Sequence, residues 1–367
     1  MDFALPASAP GLRRLADAFV AEHLRPLEAD LPPAEGPLPP AIRRALDDRR
    51  RELGLWGLSV PAELGGMGLT WLEAALVQER LQRSPLGMWG QDLLAAGDPP
   101  PALLPDPALL RGERVAHQLL VVAPRSGRPG LRAVPTPGGA RLQGEWPAVP
   151  AHLARDLLLV VAPLQGRPQG LLCGPGLPGF HLARRRPGMG SVELVDLVWE
   201  DCHCPAERIL PDAGAGAGLV QARAQVTALA AGALGAAEQC LERALEQLRT
   251  RQTFGRVLAD RQSMQWMLAD SARELQAARL LVYRAAAAAD SGETGVACTL
   301  AGPVKAYATD AACRIADRVL QMHGGYGYSR DLPLERCWRE LRFYRLALGS
   351  NDELIAASAD ALLAALT

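Results

Sequence analysis

The 367-residue chain has almost no excess of charge. Its 39 Lys and Arg stand against 40 Asp and Glu, a formal net charge of −1. That balance removes the attraction on which binding to nucleic acid or an acidic membrane surface depends. The short basic runs Arg49-Arg50-Arg51 and Arg184-Arg185-Arg186 read as solvated faces. No run of about 18 or more apolar residues is free of charge, so no membrane-spanning helix is expected. Met1-Asp-Phe-Ala-Leu-Pro6 has neither a basic start nor a long apolar stretch, so secretion is not expected. The 7 cysteines are an odd set without such a signal, which points to a reducing compartment and a cytoplasmic location. Metal-ligand spacing is also missing. In Cys202-His203-Cys204, neighbours on a strand face opposite ways and do not converge on an ion. Pro175-Gly-Leu-Pro-Gly179 lacks the strand–helix context and the lysine of a phosphate loop.

The composition that remains, 49% hydrophobic and 22% charged, is that of a globular chain able to bury a sizeable core. Over residues 1–30, Leu12, Leu15, Ala16, Phe19, Val20 and Leu24 recur on one helical face. Pro32 to Pro40 force a loop, and a second helix follows through Ile42–Leu53. An apolar segment from Leu53 ends in a Pro/Gly turn, and Thr70 is placed to cap a third helix. Residues 96–112 are too rich in proline for helix interiors.

The period then changes. Val115–Ala123, Leu131–Pro135, Ala140–Gln143, Leu157–Ala162, Gly170–Cys173, Phe180–Ala183 and Glu193–Trp199 are short apolar or alternating runs parted by Gly and Pro, which predicts a β barrel or sandwich. Ala213-Gly-Ala-Gly-Ala-Gly218 reads as a flexible joint. Beyond it, helices are expected over roughly 219–250, 260–290, 296–323, 331–347 and 352–366. Small residues such as Ala228, Gly232 and Gly235 permit close helix approach. The chain thus divides into helical 1–112, β 113–212 and helical 213–367, an α+β protein.

Two distant stretches organise this frame. Arg251-Gln-Thr-Phe-Gly255 ends an alanine-rich helix, with Phe254-Gly255 as a turn and Gln262 opening the next helical run. Far downstream comes Gln321-Met-His-Gly324-Gly325-Tyr-Gly-Tyr328. An arginine fork suits a pyrophosphate, and a glycine pair lets a backbone turn or approach a flat ligand closely. Together with Gly57-Leu-Ser-Val-Pro-Ala-Glu-Leu-Gly-Gly-Met-Gly68, these stretches make nearly the whole chain resemble the acyl-CoA dehydrogenase family. The resemblance implies an N-terminal helical domain, a middle β-barrel domain and a C-terminal four-helix bundle. It implies FAD held by Arg251, Phe254 and Gln262, and by Gln321, Gly324 and Gly325 of a neighbouring subunit. Ser350 stands in place of the usual threonine, and Trp146 where the family stacks an aromatic beside the flavin, although a core role suits Trp146 equally. A dimer or tetramer is then expected, with an acyl-CoA or acyl-carrier thioester as substrate.

The same resemblance exposes a loss. The family abstracts the substrate α-proton with a glutamate. Aligned on Gly349 that position is Leu348; aligned on Asp352-Glu353-Leu354 it is Ala347; the alternative position on the earlier helix is Gln225. None is a base at neutral pH. Asp352 and Glu353 read mainly as charges complementing a helix N-terminus. The family's flavin-cradling strand motif has only loose echoes in Leu119–Arg128, and its Asp and Arg on the first C-terminal helix fall at Arg223 and Val226. Three functions remain open: an acyl-thioester dehydrogenase with a displaced base, a silent FAD-binding or partner subunit beside a paralogue, and a monooxygenase-like flavoenzyme.

Overall fold

The computed structural model describes residues 4–30, 38–88, 116–120, 131–151, 157–165, 167–190, 192–210 and 222–364. The expected proline-rich loop 96–112, the glycine joint 213–218 and residues 121–128 lie outside them. The chain forms two compact units, one of residues 1–50, 69–94 and 222–367, the other of 51–68 and 95–221. No helix among the described residues is long and apolar enough to cross a membrane.

In the helical unit, α1 (Ala9–Phe19) passes through a π-helical turn, Val20–Leu24, into α2 (Arg25–Asp30). The face marked by Ala16, Phe19, Val20 and Leu24 is buried. α3 spans Pro40–Glu52 and α4 Trp71–Leu81. Thr70 caps α4 as expected: its hydroxyl accepts from Glu73 N, and Glu73 returns a bond to Thr70 N. Asp290 completes the cap, accepting from Trp71 N at 2.7 Å and Leu72 N at 3.0 Å. Four otherwise orphan N–H groups are thereby satisfied.

After a second π-helical segment, Ala224–Ala230, come α5 (Ala231–Thr250), α6 (Gln262–Asp290), α7 (Thr294–His323), α8 (Leu334–Tyr344) and α9 (Asn351–Ala364). α4 and α5 touch backbone to backbone. A Cβ built on Gly235 would lie 1.8 Å from Glu79 O, and one on Gly232 2.0 Å from Gln82 Oε1. Charged groups around the contact are paired rather than bare. Glu79 accepts from Tyr283 Oη at 2.6 Å and Arg279 Nε at 2.9 Å; Arg279 also reaches Glu238, which Arg80 shares with Asp17. Burial and the neighbouring Glu79 carboxylate push the Tyr283 phenol well above its ordinary range.

One basic run departs from expectation. Arg49-Arg50-Arg51 is not a solvated face. Arg50 is buried against Asp47 at 3.4 Å, Arg49 Nε donates to His23 Nε2, and the Arg51 guanidinium lies 4.3 Å from the Trp56 ring centroid. A guanidinium is weakly hydrated and stacks on aromatic faces, so the run is drawn inward where partners wait.

The β unit carries strands at the seven predicted runs, β1 (Ala116–Leu120), β2 (Arg132–Thr136), β3 (Gly139–Pro150), β4 (Leu157–Leu164), β5 (Arg167–Cys173), β6 (Phe180–Pro187) and β7 (Glu193–Pro205), and a short β8 (Ile209–Leu210) that was not predicted. The expected barrel is wrong. The strands form two open four-stranded sheets, ordered β1-β4-β5-β8 and β2-β3-β7-β6. Among the described residues, only β1 and β4 pair in parallel. Closure requires the edge strands to pair. Here β8 has two residues, β2 carries Pro135, and β6 ends in Arg184-Arg185-Arg186-Pro187. Proline and charge blunt sheet edges. Along β7, Cys202 and Cys204 are buried and His203 is exposed, as strand alternation requires. Trp199 is buried edge-on to Phe180, with ring centroids 5.5 Å apart.

The α4–α5 contact sets opposite signs for two glycine substitutions. Gly235→Ala is expected to destabilise by about 1–3 kcal/mol through overpacking. Gly11→Ala, in α1 with nothing within 4 Å of its Cβ, is expected to stabilise by about 0.5–1 kcal/mol. Urea unfolding of both variants decides it, and equal effects would remove the close approach from the account.

Candidate functional site

The segment between α8 and α9 turns sharply. Leu348 has φ +52° and Gly349 φ +98°, so the chain reverses through two left-handed residues. A leucine there costs about 1–2 kcal/mol and needs support from its surroundings. That support comes from two sides. Gln225 Nε2, in the π-helical segment, donates to Leu348 O at 2.7 Å. Lys305 Nζ, on α7, donates to Gly349 O at 2.8 Å and Asn351 Oδ1 at 2.9 Å. The structure therefore brings together Leu348 and Gln225, with Ala347 buried beside them.

Asn351 ties the corner to α7. Its Nδ2 donates to Asp310 Oδ1 at 2.8 Å, Thr309 Oγ1 at 3.0 Å and Ala306 O at 3.2 Å. Asp310 is also bound by the Arg345 guanidinium. Ser350, expected as a cofactor ligand, forms a helix cap with Glu353: its N and Oγ both donate to Glu353 Oε2, at 3.1 and 2.8 Å. Glu353 is thereby engaged, and Asp352 is exposed in the first turn of α9.

Lys305 is fully buried. Burial drives its pKa down from the ordinary 10.5 to about 7; Asp310 and Glu353 oppose the shift and Arg345 adds to it. Neutral lysine keeps two N–H donors, enough for both bonds it makes.

The second group of residues lies around the end of α5. Arg251 leaves the helix in an extended conformation, and its carbonyl accepts from Leu258 N at 2.9 Å. β9 (Gln252–Thr253) and β10 (Arg256–Val257) pair across a two-residue turn, Phe254-Gly255, with φ +50° and +74°. Two positive φ values match the right-handed twist of a hairpin. Phe254 is 96% exposed at the tip. The Arg261 guanidinium sits 5.6 Å from its ring and donates to Thr253 O and Oγ1. Gln262 is the first residue of α6. Gln321 lies in the last turn of α7, which Gly324 ends at φ +59°. Gly324 and Gly325 have open space where a Cβ would stand. The side chains of Arg251, Gln262 and Gln321 are exposed and make no hydrogen bond among the described residues. A guanidinium fork and an amide at the start of a long helix suit a pyrophosphate, and bare glycines suit a flat ring system. No bond joins the Arg251 group to the Gln321 group within the chain's described residues. Trp146 lies in the other unit, half-buried on β3 opposite Leu197.

Lys305, Asn351, Asp310 and the buried Gln82 were not singled out by sequence. A signal for Lys305 exists: it is the lone charge in Val296-Ala-Cys-Thr-Leu-Ala-Gly-Pro-Val-Lys-Ala-Tyr-Ala308, and a lysine inside an apolar run is buried only with partners. Nothing in the sequence marks the π-helical segment that places Gln225.

Comparison with known proteins adds to this geometry. Residues 9–96 match the model of the acyl-CoA dehydrogenase N-terminal domain, and residues 214–363 that of the C-terminal domain. The chain is 31% identical to 3-sulfinopropanoyl-CoA desulfinase of Paraburkholderia xenovorans, covering 85% of this chain and 86% of that one. It is 28% identical to (R)-benzylsuccinyl-CoA dehydrogenase of Thauera aromatica, over 96% and 94% of the two chains. Butyryl-CoA dehydrogenase of Megasphaera elsdenii superposes with a TM-score of 0.82 at 26% identity, covering 99% of this chain and 100% of that one.

The Lys305 shift has a definite sign. Because its folded pKa of about 7 lies below the ordinary 10.5, the unfolded chain binds the proton more tightly. Its contribution to stability is fully present above pH 10.5 and is lost as pH falls to 7. Lys305→Met removes both donors, a loss of about 1–3 kcal/mol, together with the titration. The gap in melting temperature between the protein and this variant is expected to be widest near pH 10 and to narrow toward pH 7. A gap that widens toward low pH would contradict the assignment.

Proposed function

Because the chain belongs to the acyl-CoA dehydrogenase family, we propose that it is a flavoenzyme acting on an acyl thioester, with Leu348 where relatives carry the proton-abstracting glutamate. The cofactor is FAD, which when bound supplies a two-electron acceptor. Arg251 and Gln262 are the donors for its pyrophosphate and adenosine side, with Phe254 beside them. Gln321, Gly324 and Gly325 complete the grip from a second copy of the chain, which makes a dimer the smallest working assembly. Ser350 and Trp146 are assigned to the flavin end, Ser350 through the backbone it caps.

The observation that carries the Leu348 reading is the Gln225–Leu348 bond. It joins the family's two base positions to each other, and neither holds a carboxylate. A base must come within hydrogen-bond reach of the proton it takes. Of the neighbouring acids, Glu353 is engaged by Ser350 and Asp310 by Asn351 and Arg345, and Asp352 is exposed in the first turn of α9. The side chains at the two base positions thus orient backbone and offer no carboxylate to take a proton. This favours a substrate whose cleavage needs no protein carboxylate over simple α,β-dehydrogenation. The relative named 3-sulfinopropanoyl-CoA desulfinase, not a dehydrogenase, supports that preference.

Two measurements test the proposal. Arg251→Met is expected to weaken FAD binding by about 10-fold or more, read by flavin fluorescence on titration. The protein itself is expected to show little flavin bleaching with saturated acyl-CoA under anaerobic conditions. Leu348→Glu is expected to raise the bleaching rate by about 10²–10⁴-fold, the usual worth of a placed base. Bleaching by the unaltered protein at the rate of the glutamate variant would refute the assignment of Leu348.

A further inference from the structure

Gln82 follows α4 and is completely buried, as is Tyr344 at the end of α8. A buried amide demands partners, and this one has three. Its Nε2 donates to Gln78 Oε1 at 3.2 Å and to Ala228 O at 2.9 Å, and its Oε1 accepts from Tyr344 Oη. The amide's orientation follows from these partners, since a backbone carbonyl only accepts and the phenol donates. Gly232 makes room: any Cβ there would fall 2.0–2.3 Å from the amide atoms.

The two outer partners lead to the same place. Ala228 lies in the π-helical segment that also bears Gln225. Tyr344 lies one turn before Leu348. Gln225 then donates to Leu348 O at 2.7 Å. The bonds close a ring: Gln82 to Ala228, along the π segment to Gln225, across to Leu348, back to Tyr344, and to Gln82 again. A π-helical stretch is intrinsically poor and persists where something outside the helix supports it. Gln82 supplies such support from just beyond the end of α4, distant in sequence.

We propose that Gln82 is a positioning residue for the candidate site, fixing from behind the backbone of both Gln225 and Leu348. The proposal rests on the reading of those two positions as the reacting corner. It assigns a role to a residue on the N-terminal part of the chain that touches neither position. A purely packing role predicts that loss of Gln82 loosens the helical unit evenly. A positioning role predicts loosening confined to the ring.

Hydrogen exchange on the full FAD-loaded chain, without substrate, separates the two. Tyr344→Phe removes one donor with almost no change of volume, and Gln82→Met removes the amide. Each is expected to speed exchange in residues 346–351 by roughly 5–10-fold, the worth of one buried hydrogen bond. Exchange in α6 is expected to stay within about two-fold. Combining Tyr344→Phe with Gln225→Met should give no more than the larger single effect, because both open one ring. Uniform acceleration, or effects that multiply, would overturn the proposal. If Gln82→Met does not fold, Tyr344→Phe still decides. In the Leu348→Glu background, Tyr344→Phe should lower kcat for flavin bleaching with KM within about two-fold; an unchanged kcat would also overturn it. Should Leu348→Glu gain nothing, the functional reading falls while the exchange experiment still judges the ring.

Discussion

The helical unit depends on the backbone of α5 resting on that of α4. Gly235 sits over the Glu79 carbonyl and Gly232 over the Gln82 amide, with no room for a methyl group at either. That approach brings Glu79 within reach of Arg279 and Tyr283, and Gln82 within reach of Ala228 and Tyr344. Each is a buried polar group whose desolvation would be costly unpaired. Wider helix spacing would leave them unsatisfied. The glycines and the buried polar groups are therefore one constraint.

The polar interior is of two kinds. Around Glu79 it is ionic, with Arg279, Glu238, Arg80 and Asp17 linking four helices. Around Gln82 and Gln225 it is neutral, amides and a phenol against backbone carbonyls. Neutral donors fix backbone geometry without placing a field in the site. Lys305 stands between the kinds: buried and drawn to a pKa of about 7, it serves Gly349 and Asn351 with two donors whether or not it carries charge.

Much of the architecture was legible in the chain because it rests on local period and punctuation. The alternating runs from Val115 to Trp199 became strands, Thr70 became a cap, and Phe254-Gly255 became a two-residue turn. What was missed is not local. Open or closed sheets depend on what the edge strands offer each other, and Pro135 and Pro187 decide that only once the order of strands is known. The helix expected over 219–250 begins with a π-helical stretch whose residues, Ala224-Gln-Val-Thr-Ala-Leu-Ala230, have ordinary helical propensities. Its support lies in Gln82, far away in sequence. Ser350 was expected at a ligand, and its hydroxyl caps α9; both roles draw on the same small polar residue at a chain reversal.

The corner at 348 is held through its backbone, whatever side chain it presents. Gln225 and Lys305 hold the carbonyls of Leu348 and Gly349, and neither bond involves the side chain at 348. The positive φ values there accompany these bonds to the backbone carbonyls. A backbone held in this way tolerates exchange of the side chain it presents, because fold and chemistry draw on different atoms of one residue. A turn anchored instead by a carboxylate at 348 would leave a buried donor unpaired with leucine there, at about 1–3 kcal/mol. The frame that aims position 348 is therefore independent of what is aimed.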